Sequence, residues 1–437
     1  MYFSRRHWLM ISTLVLLTLS SLWRFARSPD QTLRPLVDPL PQDPHIKVFF
    51  NQSEASTYTD PYRRVTRHGD DLEQVIVSAI DSATTTIDIA VQTLNLPRIA
   101  QALVDSQQRG VDVRLILENQ YAQAESEQAE AINLLTTGSI ARIDDTADGS
   151  KGSGLMHHKF LVIDGRWIIT GSANFTLSGI HGDIDAADSR GNANVLLKID
   201  SPLVAQTFTE EFELMWGDGP AANPDSQFGL QKPYRAAESV SLPTSTLAVQ
   251  FSPVSETKPW NSSVNGLIAR TLSEANHSID MALFVFSEQQ IANQLETEVQ
   301  AGTAVRALID PSFVYRSYSE ALDMLGLVMP DQRCNVEANN RPWRAPITAV
   351  GSPQLPDGDK LHHKFAVIDD ETVIVGSQNW SHAANNQNDE TLLVIENSTV
   401  AAHFSREFER LYRDPFVGRT SRVQAKIAEE QARCQGR

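Results

Sequence analysis

At 437 residues, with 41% hydrophobic and 21% charged side chains, the chain has an ordinary globular composition and room for two cores. A formal charge of −17 argues against nonspecific adhesion to nucleic acid, unless a local basic groove sits on the acidic body. The two cysteines, Cys334 and Cys434, are spaced too widely for a zinc ribbon or a CxxC redox pair. They form either one disulfide pinning the C-terminal tail or two buried thiols.

Arg5 and Arg6 precede an apolar run of 16 residues, Trp8 to Trp23, which Arg24 and Arg27 close. Against the roughly 20 residues of a spanning helix the run is short. It reads as an export signal, cleaved or retained as an anchor, over residues 1–27; a buried core helix is the competing reading. Export would leave the protein secreted, periplasmic or held at a membrane. A tether rich in Pro and Asp is expected at 28–45.

The first domain is expected over 46–217. In "TIDIAVQTLNLPRIAQALVDSQQRGVDVRLILE", residues 86 to 118, a helix ends near Arg109 with Gly110 as its stop, and VDVRLIL is the next strand. The stretch "MHHKFLVIDGRWIITGSANF", 156 to 175, follows, and "FTEEFELMW", 208 to 216, closes the domain as a helix. A linker rich in Pro, Gly, Ser and Asn covers 218–247. The second domain, 248–415, repeats the series. "SIDMALFVFSEQQIANQLETEVQAGTAVRALID" lies 192 residues beyond its counterpart, "LHHKFAVIDDETVIVGSQNW" lies 205 beyond its own, and "FSREFERLY" closes the copy. A period that long is a duplicated domain rather than a solenoid. Helical segments alternating with apolar strands predict α/β layering: two tandem α/β/α sandwich domains about a pseudo-twofold axis, then a tail over 416–437.

The second copy has 13 extra residues before its His-Lys strand. The segment 331–358 is predicted to form a lip over the site, with Trp343 touching lipid or base; a surface loop with a core-packed tryptophan is the alternative.

Side chains alternate along a strand, so His362 and Lys364 share one face, as do His157 and Lys159. An imidazole and an ammonium at the mouth of an apolar strand are costly unless an anion meets them. If the copies face each other, two imidazoles and two ammoniums surround one point. Lys159 and Lys364 then neutralise a phosphate, and Asn174 and Asn379 donate to its oxygens. One of His157 and His362 attacks phosphorus while the other protonates the leaving oxygen. No metal or other cofactor is called for. A metal site of His157, His158, His362 and His363 is disfavoured by the neighbouring ammoniums.

The pattern His-x-Lys, four residues, Asp, six residues, Gly-Ser-x-Asn resembles the signature of the phospholipase D superfamily. It occurs at His157, Lys159, Asp164, Gly171, Ser172 and Asn174, and again at His362, Lys364, Asp369, Gly376, Ser377 and Asn379. The resemblance implies a phosphodiesterase working through a covalent phosphohistidine, with both copies forming one site. It also implies that Asp164 and Asp369 are structural. Alternation agrees, since Asp164 is an odd number of residues from Lys159. Ser172 and Ser377 read as support for the asparagine turns.

Many members of the family carry Asn-x-Glu after the turn, the glutamate orienting a catalytic histidine. The second copy has Asn388-Asp389-Glu390; the first has Asn192-Ala193-Asn194. Glu390 is therefore expected to hold His362 as the general acid, and Asn194 to leave His157 neutral as the nucleophile. Asp183, Asp185 or Asp188 could replace the missing carboxylate. A phospholipid or membrane-surface substrate is the leading expectation, and an exported nonspecific nuclease the alternative. Phosphatidyl transfer ranks lower because the transferring synthases usually begin with two membrane helices, and a non-catalytic scaffold ranks last. With both copies on one chain, a monomer suffices.

Overall fold

The computed structural model describes residues 33–122, 129–150, 154–220 and 224–435. Two mixed sheets repeat one strand order. In the first, the strands run Ile46–Phe50, Val195–Asp200, Trp167–Gly171, Lys159–Ile163, Thr86–Val91, Asp112–Leu117, Ala141–Asp144. In the second, Ser245–Phe251, Thr391–Glu396, Thr372–Gly376, Lys364–Ile368, Ser278–Leu283, Ala304–Ile309 and Val350–Ser352 stand in the same sequence. Glu238–Leu242 adds to one edge of the second sheet and Phe416–Val417 to the other.

Alternation along each central strand divides the core into three. Phe160 and Val162 face inward, with Phe365 and Val367 of the other sheet, into one cluster shared by both domains. Leu161 and Ile163 face outward onto the helices Leu72–Asp81 and Pro97–Gln108. Ala366 and Ile368 do the same toward Val264–Leu272 and Gln289–Ala301. The closing helices Pro202–Trp216 and Ser398–Leu411 contribute Phe208, Phe212, Phe404 and Phe408 to the shared core. The sequence placed the first of these helices from 208 only. It begins a turn and a half earlier because Ser201 accepts from the Val204 N–H and Pro202 suits a helix start. Phe160, Phe208 and Phe251 join the domains edge to face. Burying this apolar surface between the sheets is what holds the two domains together.

Several expectations change. No helix among the described residues is long and apolar enough to cross a membrane. The expectation of an exported or membrane-anchored protein is corrected on that ground, and residues 1–27, on which it rested, lie outside the described residues. Trp343 is no lip: it is 3% exposed and packs in the outer core of the second domain. The apolar side of the extra segment is consumed by folding the loop down. Cys334 and Cys434 are joined in a disulfide that ties the helix Ser421–Gln435 to this loop.

Candidate functional site

The histidines lie just ahead of the central strands Lys159–Ile163 and Lys364–Ile368, where segments of the two domains pair. The His157 N–H donates to Asp389 O (2.9 Å) and the His362 N–H to Ala193 O (3.1 Å). Short parallel bridges join Met156 to Asp389 and Ala193 to Leu361. Each His-x-Lys strand is therefore anchored on the Asn-x-Glu or Asn-x-Asn segment of the opposite copy.

The side chains follow the backbone. His157 Nδ1 lies 2.6 Å from Glu390 Oε2, and His362 Nδ1 lies 2.9 Å from Asn194 Oδ1. The expected pairing of Glu390 with His362 and Asn194 with His157 is thus reversed, because orientation is supplied across the domain boundary. Asp183, Asp185 and Asp188 are exposed, and Glu390 already occupies the His157 Nδ1 they were expected to serve. The amide of Asn194 is fixed: its Nδ2 donates to Gly179 O (2.8 Å), so Oδ1 faces His362 and the Ser172 hydroxyl, which donates to it at 2.8 Å. An acceptor at Nδ1 makes that nitrogen the N–H and leaves Nε2 of each ring with its lone pair.

Ser172 and Ser377 do more than support a turn. Ser172 Oγ accepts from the Val195 N–H (3.1 Å) while holding Asn194. Ser377 Oγ accepts from the Thr391 N–H (2.9 Å) and hydrogen-bonds Glu390. Each motif serine therefore steadies the residue that orients the other copy's histidine. The preceding glycines are required by close approach: a Cβ on Gly171 would sit 2.2 Å from Val195 O, and one on Gly376 2.1 Å from Thr391 O.

Lys159 and Lys364 are fully buried and donate to the carbonyls of His157 (2.8 Å) and His362 (2.7 Å). Lys364 also lies over the Phe284 ring, at 4.8 Å. Burial lowers Lys159 to about 7, with Glu390 pulling the other way, and it holds Lys364 well below its ordinary value. Burial, then the ammoniums of Lys159 and Lys364, keep His157 well below the usual imidazole range; for His362 the order is burial, Lys364, Lys159. Burial raises Glu390 to about 7 against the opposing pull of Lys159. A centre with this many cationic groups and one carboxylate is short of negative charge, and an anion would restore it. The side-chain oxygens of Asn174 and Asn379 are buried and find no donor among the described residues. A half-turn of either amide offers an N–H₂ to an incoming oxygen.

Asp164 and Asp369 lie at the opposite strand ends. Asp164 accepts from the N–H groups of Thr84, Thr85 and Thr86, and Asp369 from those of Asn276, His277 and Ser278. Burial opposes their ionisation, yet these bonds carry both below the usual carboxylate range. His158 and His363 face the core, where His158 Nε2 meets Glu211 Oε1 and His363 Nε2 meets Glu407 Oε1, both at 2.9 Å. Sequence reasoning missed these glutamates. The signal was the Glu-Phe pair common to both closing helices, Glu211-Phe212 and Glu407-Phe408. It also missed Gln92 and Thr93, which with Asn95, Tyr121, Asn174 and Asn192 line a pocket of about 190 Å³ that opens on His362.

The model of the family described as "Cardiolipin synthase, PLD-like domain" matches residues 76–216 and 268–412, well over half the chain. A mitochondrial cardiolipin hydrolase of Xenopus tropicalis is 32% identical over 139 residues, 32% of this chain and 58% of that protein. The Homo sapiens mitochondrial cardiolipin hydrolase is 31% identical over 154 residues, covering 35% and 53%. A phospholipase D of Rickettsia conorii is 31% identical over 148 residues, covering 34% and 64%. The chain thus spans less than two thirds of the length of each of these relatives. A phosphatidylserine synthase structure from Haemophilus influenzae covers 91% of this chain and 95% of its own at 12% identity with a TM-score of 0.57, a likeness of fold. With both matched stretches falling on the two sheets whose central strands start beside His157 and His362, the chain belongs to the cardiolipin synthase, PLD-like domain family and carries that domain twice.

Proposed function

We propose that the protein is a phosphodiesterase that hydrolyses phospholipids through a phosphohistidine on His157. The observation that carries this reading is the unequal support of the two rings, a carboxylate behind His157 and a neutral amide behind His362. Both candidate roles stay with the histidines the sequence favoured, but for the opposite reason. A carboxylate at Nδ1 stabilises the positive charge that develops on a ring attacking through Nε2. A neutral acceptor gives an imidazolium less support, so His362 parts more readily with its proton.

The phosphate of the substrate is held by Lys159, Lys364, Asn174 and Asn379, and its charge offsets the depression of the lysines and of His362. His157 Nε2 forms a bond to phosphorus as the bond to the leaving oxygen breaks. The electron pair goes to that oxygen, which takes the Nε2 proton of His362. His362, now neutral, removes a proton from water, whose oxygen attacks phosphorus. The P–N bond breaks and His157 leaves as neutral imidazole. These steps use side chains alone.

A phospholipid substrate draws support from the relatives' names, cardiolipin hydrolase and phospholipase D. The test is turnover of ³²P-labelled phospholipid vesicles in EDTA, quenched in alkaline detergent. Label is expected on the peptide holding His157 and absent from His157→Ala. Label on His362, or cleavage of plasmid DNA with none of lipid, would refute the mechanism or the substrate respectively.

A further inference from the structure

The linker between the domains does more than join them. Lys232 follows its short helical turn Gly229–Gln231, and the lysine side chain is only 5% exposed. The ammonium meets groups from separate parts of the chain. It pairs with Glu211 on the closing helix of the first domain and with Asp389 Oδ1 of the second at 2.6 Å. It also donates to Ser252 O (3.0 Å), just past the strand Ser245–Phe251. Asp389 is held again by the linker's own backbone, since the Gly229 N–H donates to its Oδ1 (2.9 Å).

Asp389 is the middle residue of the Asn-x-Glu segment. Its side chain turns to the linker while that of its neighbour Glu390 turns to His157 Nδ1. Ser252, which Lys232 also holds, grips the segment on either side: its N–H donates to Glu390 O (3.1 Å) and its hydroxyl to Asn388 O (2.7 Å). Asn388 Nδ2 then donates to Glu390 Oε1 (3.2 Å). The first copy has no such clamp among the described residues. Ala193 stands where Asp389 does, and Glu407, the counterpart of Glu211, is met by Arg410 of its own helix at 2.8 Å. Arg235 also reaches Glu211, so the buried charges around Lys232 balance. A buried ion pair costs desolvation and adds little net stability, but one that is fully hydrogen-bonded can fix a single arrangement.

We propose that Lys232 is a positioning residue for the nucleophile: by clamping Asp389 it delivers the Glu390 carboxylate to His157, which makes the interdomain linker part of the phosphorylation step. This rests on the phosphohistidine reading above. Lys232 touches neither histidine of the centre and acts through Asp389 and Ser252 alone. Without its ammonium, Asp389 keeps the Gly229 N–H but loses its counter-charge in a buried setting. A buried carboxylate in that condition protonates or moves toward water. Movement of Asp389 carries Glu390 with it, because the two are consecutive residues, and lengthens the contact with His157 Nδ1.

The test is single-turnover labelling of the full chain by ³²P-labelled bis(p-nitrophenyl) phosphate, quenched in alkali at successive times. The rise of label on His157 gives a rate constant, and its amplitude gives the active fraction. Lys232→Met is expected to lower the rate constant at least about tenfold, since a misplacement near 1 Å can cost about 10²-fold. In a Glu390→Gln background there is no carboxylate left to place. There the same change should lower the rate constant by less than about threefold, because residues that act through one another are not additive. Misfolding shrinks the amplitude in both backgrounds and leaves the rate constants. If Lys232→Met gives no amplitude, Lys232→Met/Asp389→Asn, which removes the unpaired carboxylate as well, is read by the same criteria. Label on His157 with equal losses in the two backgrounds, or with a Lys232→Met rate constant within about threefold of wild type, overturns the clamp alone. Label on His362 in the wild type overturns the mechanism on which the clamp rests.

Discussion

Replacing Glu390 by Gln tests the crossed arrangement most directly, because the side chain keeps its shape and loses only its charge. The carboxylate lies 2.6 Å from His157 Nδ1 in a fully buried setting. Spread over ring and carboxylate, the charges are about 4 Å apart, which at an effective dielectric near 20 is worth about 4 kcal/mol. The amide retains a neutral hydrogen bond worth about 1 kcal/mol, leaving a deficit of about 3 kcal/mol in the transition state, or about 10²-fold in kcat. Asn194→Ala removes only a neutral acceptor from His362 and should cost about tenfold. The assay is hydrolysis of a series of aryl phosphodiesters with phenols of graded acidity. Because Glu390 serves the nucleophile, the Glu390→Gln deficit should stay constant across the series. The Asn194→Ala deficit should shrink as the phenol becomes a better leaving group and needs less acid catalysis. A Glu390→Gln deficit under threefold, or one that shrinks with phenol acidity, would refute the assignment of Glu390 to His157.

Because both histidines act in one centre, His157→Ala and His362→Ala should each remove nearly all turnover of a lipid diester, and the double variant should lose little more; two half-active single variants would mean independent sites. Lys159, lowered to about 7 by burial, holds its ammonium below that pH and loses it above. The kcat/KM of the free enzyme should therefore fall as pH rises through about 7, and Lys159→Arg, whose guanidinium stays charged, should carry that limb beyond about pH 9 at a lower overall rate. An unmoved limb assigns the titration to another group. Trp343→Ala should lower stability by about 3–5 kcal/mol in a denaturant titration and leave the KM for micellar lipid unchanged; a raised KM with intact stability would restore a role at the rim.

The sequence by itself determined the duplication, the alternation that puts each histidine and lysine on one strand face, and the turn toward Asn174 and Asn379. These depend on periodicity and spacing within one copy. The three-way division of the core followed for the same reason: Phe160 and Leu161 must point to opposite sides wherever the strand lies. Whether Glu390 reaches His362 or His157 depends instead on how two domains dock. They dock by pairing the Asn-x-Glu segment of one with the His-x-Lys segment of the other through main-chain hydrogen bonds that carry no side-chain signature. Trp343 was ambiguous because a tryptophan between arginines fits a rim as well as a core. Only packing against the second domain's outer helices, with the disulfide tying the loop to the helix Ser421–Gln435, settled it.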